Sequence, residues 1–287
     1  MTRTLLLGLI GTGIDASRSP AMHEGEAAAH GLRCIYQRID LARLGLTSET
    51  LPELLTAAER MGFAGLNVTH PCKQAVMPLL TDLSDHARAI GSVNAVVFDG
   101  GRRVGYNTDW WGFRQSVLEH LPGAALGRVV QLGAGGAGAA TAYAALQLGV
   151  RELLVVDTIH ERACALADRM AEMCPGRVRP VGDVSEALPG ADGLIHATPI
   201  GMAGHPGLAL PASLLRADFW VADIVYFPLE TELLRVAKRI GCRTLDGSGM
   251  AVYQAVEAFR LFTGLQAVAS RMRGFFDSFD GPLGRDC

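Results

Sequence analysis

Between Asn67 and Lys73 the chain reads NVTHPCK, which puts an amide, a hydroxyl, an imidazole, a thiol and an amine into one short segment. Farther on, GYNTDWWGF carries Asp109, and VVQLGAGGAG carries Gly133, Gly135 and Gly138 directly after an apolar run. The glycines say most about chemistry. In a GxGxxG turn between a strand and a helix, the first glycine permits the tight turn and the second lets backbone approach a pyrophosphate. The third allows close helix packing, and the free N–H groups at the helix start face the phosphates. Ala134, Gly136 and Ala137 complete that loop. The next apolar run, LLVVD, ends in Asp157, near the spacing of about 20 residues at which an acid meets the ribose. A carboxylate there accepts from both ribose hydroxyls of NAD and repels the 2′-phosphate of NADP. NAD is therefore expected over NADP, with Arg162 either meeting a phosphate or lying along the adenine.

Hydride transfer from an alcohol also requires a base or a proton relay. His23, His70, Cys72, Lys73, Asp109 and Tyr226 carry suitable groups. His70, Cys72 and Asp109 can be drawn as a nucleophilic set, but hydride transfer needs no covalent nucleophile. No second close-spaced ligand pair accompanies His70 and Cys72, so no metal is expected. His23 and His30, on the first helix, read as solvated. Lys73 follows a strand end, where open α/β sheets take ligands. Its ordinary alternative is a solvated charge, and that of Asp109 is a helix N-cap.

These groups are carried by a chain of 287 residues, long enough for two domains, with 49% apolar and 19% charged residues. The formal charge of −3, without runs of one sign, offers no footprint for nucleic acid or an anionic membrane. No run is long enough to span a bilayer, and the early apolar run is broken too soon for a secretory signal. The six cysteines show no CxxC pair, which fits reduced thiols in a cytoplasm. Strand and helix patterns alternate: TLLLGLIG, the helix SPAMHEGEAAAHGL, CIYQRIDL, the helix TSETLPELLTAAERMG, GLNVT, VNAVVFDG and RVGYN. After the helix DWWGFRQSVLEHL comes the break PGAALG, then a second alternating series, RVVQLG to WVADIVY, and a long helix GMAVYQAVEAFRLFTG. The closing DGPLGRDC reads as a frayed terminus.

The ordered set SRSPAMH, GLNVTHPCK, GSVNAV, GYNTDWWGF, GAGGAG, ATPIGM and DGSGMAVYQAVEAF resembles the shikimate dehydrogenases and their quinate/shikimate relatives over nearly the whole chain. The NAD-linked quinate/shikimate branch is especially similar. The resemblance implies an α/β protein of two domains with a cleft between them. Residues 1–120, completed by 246–287, would form a substrate domain with a mostly parallel sheet, and 121–245 a Rossmann-like NAD-binding domain. It implies oxidation of the C3 hydroxyl of shikimate or quinate, with Lys73 and Asp109 as the catalytic pair. Ser17, Ser19 and Tyr226 would hold the carboxylate, and Asn67, Thr69, Asn94 and Gln254 the ring hydroxyls. The glycine loop, Asp157, Arg162, Thr198, Met202, Val225 and Met250 would hold the cofactor, although a core role is commoner for a methionine.

An aspartate beside Lys73 favours the ammonium, whereas a base must be neutral, a state that a dry cleft would favour. Three features depart from the family pattern or qualify it: His196 stands where NATP has asparagine, DTIHER replaces the basic NADP-selecting stretch, and Ser19 leans toward shikimate. The other readings are an aminoshikimate-type or other cyclic polyol-acid dehydrogenase, and a non-catalytic NAD-binding regulator. The expected partner is a small molecule, and the expected state a monomer or homodimer.

Overall fold

In the computed structural model, which describes residues 4–278, the first apolar run forms strand β1 (Thr4–Gly11). It is followed by helix α1 (Ser19–Ala29), β2 (Arg33–Asp40), α2 (Leu41–Leu44), α3 (Leu51–Arg60), β3 (Gly65–Val68) and α4 (Cys72–Ala75). Then come β4 (Asp82–Leu83), α5 (Asp85–Ile90), β5 (Ala95–Asp99) and β6 (Arg102–Tyr106). These strands make one sheet in the order β2-β1-β3-β5-β6-β4. Side chains alternate across it, as the strand period of two requires. Ile10, Leu66, Val68 and Val96 enter the core beneath α3, with Leu51, Leu55 and Cys72. Leu5, Leu7, Leu9, Tyr36 and Ala95 enter the opposite core with Ala258 and Phe262. Asn67, between Leu66 and Val68, therefore leaves on the Tyr36 face.

β1 is parallel to β2 and β3, and β4 to β6, but β5 runs against both β3 and β6. The sheet is mixed, and the cause is local. Asp99 pairs with Arg102 across a two-residue turn in which Gly100 and Gly101 have φ of 55° and 83°. A hairpin turn with two positive φ angles is disfavoured for residues that carry a β-carbon.

The second series is α6 (Asp109–His120), β7 (Arg128–Leu132), α7 (Gly136–Leu148), β8 (Glu152–Val156), α8 (His160–Ala171), β9 (Val178–Pro180) and α9 (Val184–Ala187). It continues through β10 (Gly193–His196), β11 (Trp220–Asp223), α10 (Glu232–Ile240), β12 (Arg243–Leu245) and α11 (Ser248–Thr263). α12 (Ala269–Asp277) completes the described chain. The second sheet, β12-β11-β10-β7-β8-β9, is parallel throughout. Both its faces are covered: Val129, Leu153, Val155, Ile195 and Ala222 enter one core, and Val130, Leu132, Leu154, Leu194 and Val221 the other. The strand order reverses between β7 and β10, which makes the carboxyl ends of these strands the topological switch point.

The described residues divide into two units, one within Met1–Arg88, Ser92–Thr108 and Gln254–Cys287, the other Ala89–Gly91 and Asp109–Tyr253. The expected division after residue 120 differs from this one, because α6 packs on α7 and goes with the second unit. Strands β9 and β12 and helix α10 were not anticipated. Yet α10 carries clear local signals, with Thr231 accepting from the Leu234 N–H at 3.3 Å and Gly241 ending the helix at φ 100°. The DGPLGRDC terminus lies outside the described residues. No helix among the described residues is long and apolar enough to cross a membrane.

His23 departs from its expected solvated place. It is fully buried with Met22, Glu26 and Ala27 on one face of α1, and stacks on Tyr36 with ring centroids 5.1 Å apart. Burial pushes its pKa down to about 3 despite the nearby Glu26 charge. α12 packs on α1, and the site of a Gly25 β-carbon is 2.5 Å from the Phe275 ring. Glu26 ties the two helices by accepting from Arg271 Nε at 2.7 Å, Arg271 Nη2 at 2.6 Å and the Val268 N–H at 2.9 Å.

Burial by itself would raise the Glu26 carboxyl, but the Arg271 and Val268 hydrogen bonds hold it below its ordinary 4.5. A lowered folded value stabilises the protein above the unfolded value, and this contribution is lost as pH falls through the folded one. Arg271→Ala is expected to destabilise the protein at pH 7, because it leaves the buried Glu26 carboxylate without its guanidinium partner. It should also flatten the fall in stability below pH 4.5. Urea melts from neutral to acid pH would measure both effects.

Candidate active site

The glycine loop is built by close backbone approach. Gly133 has φ of 99°, and a β-carbon on it would stand 2.5 Å from the Ala197 carbonyl oxygen; one on Gly138 would stand 2.3 Å from the Gly133 carbonyl oxygen. Beyond its own chain neighbours, no heavy atom lies within 4 Å of the corresponding position on Gly135, which is exposed at the start of α7. The first and third glycines thus close the turn, and the second leaves open space before the N-terminus of a helix of 13 residues. Gln131, fully buried, donates from Nε2 to the carbonyls of Gly133 at 2.9 Å and Gly138 at 2.8 Å, and accepts from the Thr141 hydroxyl at 2.9 Å. Sequence reasoning missed this residue, because a glutamine inside an apolar strand carries no motif. Ala134, Gly136 and Ala137 are partly exposed around the opening.

Asp157 sits just beyond β8 and bridges to the loop. Its Oδ2 accepts from the Ala134 N–H at 2.7 Å, and its Oδ1 from the Ile159 N–H at 2.9 Å. Arg162 is exposed on α8. On the other side of the switch point, the methyl carbon of Thr198 lies 3.1 Å from the site of a Gly133 β-carbon. The half-buried Asp157 and Thr198 therefore flank one glycine loop, which gives an acceptor carboxylate, a hydroxyl and the backbone cradle that suits a dinucleotide. Met202 and Tyr226 are exposed by 42% and 41%, whereas Val225 is buried, so the three do not share one environment. Met250 is buried on α11 in the core that contains Phe113 and Tyr143.

In the first unit, the strand ends carry polar side chains. Asn67 and Asn94 are each 3% exposed. The Tyr36 hydroxyl donates to Asn67 Oδ1 at 2.8 Å, and Asn67 Nδ2 donates to the Asn94 carbonyl at 3.4 Å. Burial pushes the Tyr36 hydroxyl pKa upward, so it remains a donor. Asn94 exchanges bonds with Thr108: its Oδ1 accepts from the Thr108 N–H at 2.7 Å, and its Nδ2 donates to the Thr108 hydroxyl at 2.9 Å. Ser17 is buried, and its hydroxyl accepts from the Ser19 N–H at 3.3 Å at the start of α1. The preceding turn is held by Asp40, which accepts from the N–H groups of Ile14 at 2.9 Å and Gly13 at 3.3 Å. Burial alone would raise the Asp40 carboxyl, but these donors and those of Arg43 and Ala42 hold it below the usual range. Tyr36, Asp40 and Thr108 went unsingled in the sequence. Only Asp40 had a signal, an acid between a strand and a helix that ends at Gly45.

NVTHPCK is pinned at several points. The Thr69 N–H donates to the Ile10 carbonyl at 2.9 Å, the His70 carbonyl accepts from Thr12 at 2.9 Å, and the Lys73 carbonyl accepts from Val93 at 2.9 Å. Cys72 anchors α4 in the core, and burial raises its thiol to about 11, which removes it as a nucleophile. His70 is exposed, and Thr69 and Lys73 are half-buried. Asp109, 6% exposed, opens α6 in the second unit. Gln254 is half-buried on α11. Among the described residues no cluster of His, Cys, Asp and Glu could hold a metal ion.

Residues 9–96 match the shikimate dehydrogenase substrate binding domain, and residues 247–274 the shikimate 5′-dehydrogenase C-terminal domain. A shikimate dehydrogenase (NADP(+)) of Streptomyces avermitilis is 55% identical over 270 residues, covering 93% of each chain. A quinate/shikimate dehydrogenase (NAD(+)) of Corynebacterium glutamicum is 50% identical over 281 residues, covering 96% of this chain and 99% of the other. The solved structure of quinate dehydrogenase from Corynebacterium glutamicum in complex with NAD superposes with a TM-score of 0.90 at 50% identity, covering 96% and 99% of the two chains. With the glycine cradle, the parallel sheet and these relatives in agreement, the chain belongs to the shikimate/quinate dehydrogenase family.

Proposed function

We propose that the protein is an NAD-dependent oxidoreductase that interconverts shikimate and 3-dehydroshikimate, and quinate and 3-dehydroquinate, at the C3 hydroxyl. Relatives at 55% and 50% identity bear names with NADP(+) and NAD(+) respectively, so identity does not choose the cofactor. The observation that carries the choice is the Asp157 carboxylate, held against the glycine loop by the Ala134 N–H at 2.7 Å. Two like unit charges 4 Å apart repel by about 4 kcal/mol at an effective dielectric of 20. Arg162 offers the opposite charge, but it is exposed, where solvent and salt screen it, so the repulsion wins.

Bound NAD supplies the hydride acceptor. The chain's own part is to hold a cyclic polyol acid, exclude water and take one proton. In this reading Ser17, Ser19 and Tyr226 hold the carboxylate, and Asn67, Thr69, Asn94 and Gln254 pair with ring hydroxyls. Support comes from the burial of Asn67 and Asn94 and from their fixed amide orientations. A ligand whose hydroxyls do not match such fixed groups forfeits hydrogen bonds, which is how sites of this kind discriminate. In this reading Lys73 accepts the proton of the C3 hydroxyl, and Asp109 is the second residue of the catalytic pair.

Initial rates of NADH or NADPH formation, measured for shikimate and quinate against NAD and NADP, test the proposal. NAD should be favoured in kcat/KM by about a hundredfold, and no turnover of either acid would overturn the reading. Asp157→Ser should lose about tenfold or more with NAD and gain with NADP. Lys73→Ala should lower kcat by roughly 10²–10⁴. Lys73→Arg should be equally slow, because arginine keeps the charge but takes no proton. Near-normal turnover in either lysine variant would refute the proton-acceptor role.

A further inference from the structure

His196 ends β10 and Asp223 ends β11, and the parallel register sets them side by side. Register partners project from the same face of a sheet, so imidazole and carboxylate meet with His196 Nδ1 2.9 Å from Asp223 Oδ1, both side chains being fully buried. The carboxylate has other donors as well: Oδ1 accepts from the Val225 N–H at 3.0 Å, and Oδ2 from the Thr231 hydroxyl at 2.6 Å. A carboxylate only accepts, so the ring hydrogen that meets it is on Nδ1, and in that tautomer Nε2 offers a lone pair. The atom facing Nε2, at 2.5 Å, is Thr198 Oγ1, which also accepts from the Ile200 N–H at 3.3 Å. A hydroxyl has one hydrogen, and this one is directed inward to the imidazole. Toward any ligand, Thr198 therefore presents a lone pair, beside Gly133 and at the switch point.

We propose that His196 is a positioning residue: acting through Thr198, it presents a fixed hydrogen-bond acceptor to a donor group of the dinucleotide, a ribose hydroxyl or a carboxamide N–H. The inference rests on the dinucleotide reading above and goes beyond it, because it assigns a task to the buried pair behind the cofactor loop. An asparagine at this position would be too short to reach from Asp223 to Thr198, and the threonine hydroxyl would then turn freely. Glutamine is longer and carries an acceptor near the place of Nε2.

The test is a fluorescence titration of the full chain with NADH, which needs no turnover and so is independent of the substrate assignment. His196→Asn and Thr198→Val should each weaken NADH binding by about three- to tenfold. The double variant should bind no more weakly than Thr198→Val alone, because the two changes break one interaction. His196→Gln should recover binding to near the parent value, and the KM for shikimate should not move in any variant. Parental NADH affinity in Thr198→Val would overturn the proposal, as would losses that multiply in the double variant. Thr198 is half-buried in a loop, so that arm still decides the matter if a variant at the buried position 196 fails to fold.

Discussion

The carbonyl oxygen of Gly133 lies 2.3 Å from where a β-carbon of Gly138 would stand, so the turn after β7 and the first turn of α7 meet backbone to backbone. Much of the second unit follows from that contact. It sets α7 close against the sheet, where a helix rich in small residues fits: Ala139, Ala140, Ala142, Ala144 and Ala145 are all buried. It brings two carbonyls within reach of one glutamine amide, so Gln131 locks both sides of the turn. It also leaves the backbone N–H of Ala134 turned toward the end of β8, where Asp157 meets it. Breaking the contact would cost more than a clash, because the buried amide of Gln131 would lose its partners at the same time.

In the first unit the polar groups are held by a different device. The strands are apolar along their length and polar at their ends, and each polar end is tied to a neighbour: Asn67 to Tyr36, Asn94 to Thr108, Asn107 to Ser92. Buried amides that satisfy one another keep one orientation, because rotation would leave donors facing donors in a low-dielectric interior. The rigidity that helps the fold is also what a site for a hydroxylated ring requires, since it lets the protein match a pattern of donors and acceptors without reordering first.

The buried charged and titratable groups divide by how they are satisfied. Glu26 and Asp40 stay anionic in the interior because guanidinium or backbone N–H groups outweigh burial. His23 has no such partner, and neither ring nitrogen makes a hydrogen bond, so it behaves as an aromatic ring stacked on Tyr36. His196, the other buried histidine, has a partner on each nitrogen. Identical side chains thus serve as packing in one unit and as a directional hydrogen-bond element in the other, the difference being what the sheet register sets beside them.

Features that depend on near neighbours along the chain were legible from the residues alone. The glycine pattern, the acid at the end of the next strand, the alternation that makes buried parallel strands, and the position of Lys73 just after a strand all follow from local sterics and period. The antiparallel β5 has a local signal too, in the paired Gly100 and Gly101, which sits inside an alternating α/β pattern typical of parallel sheets. What the sequence could not contain was the register between distant strands. Asp223 lies beside His196 only because β10 and β11 align at their carboxyl ends, and His23 is packed against Phe259 and Phe262 of α11, far along the chain, as well as Tyr36. Residue type and local spacing therefore determined which groups this protein has for chemistry. Tertiary structure decided which of them are paired, which way their protons point and which are merely packed, because hydrogen bonds and burial depend on distances that chain separation does not set.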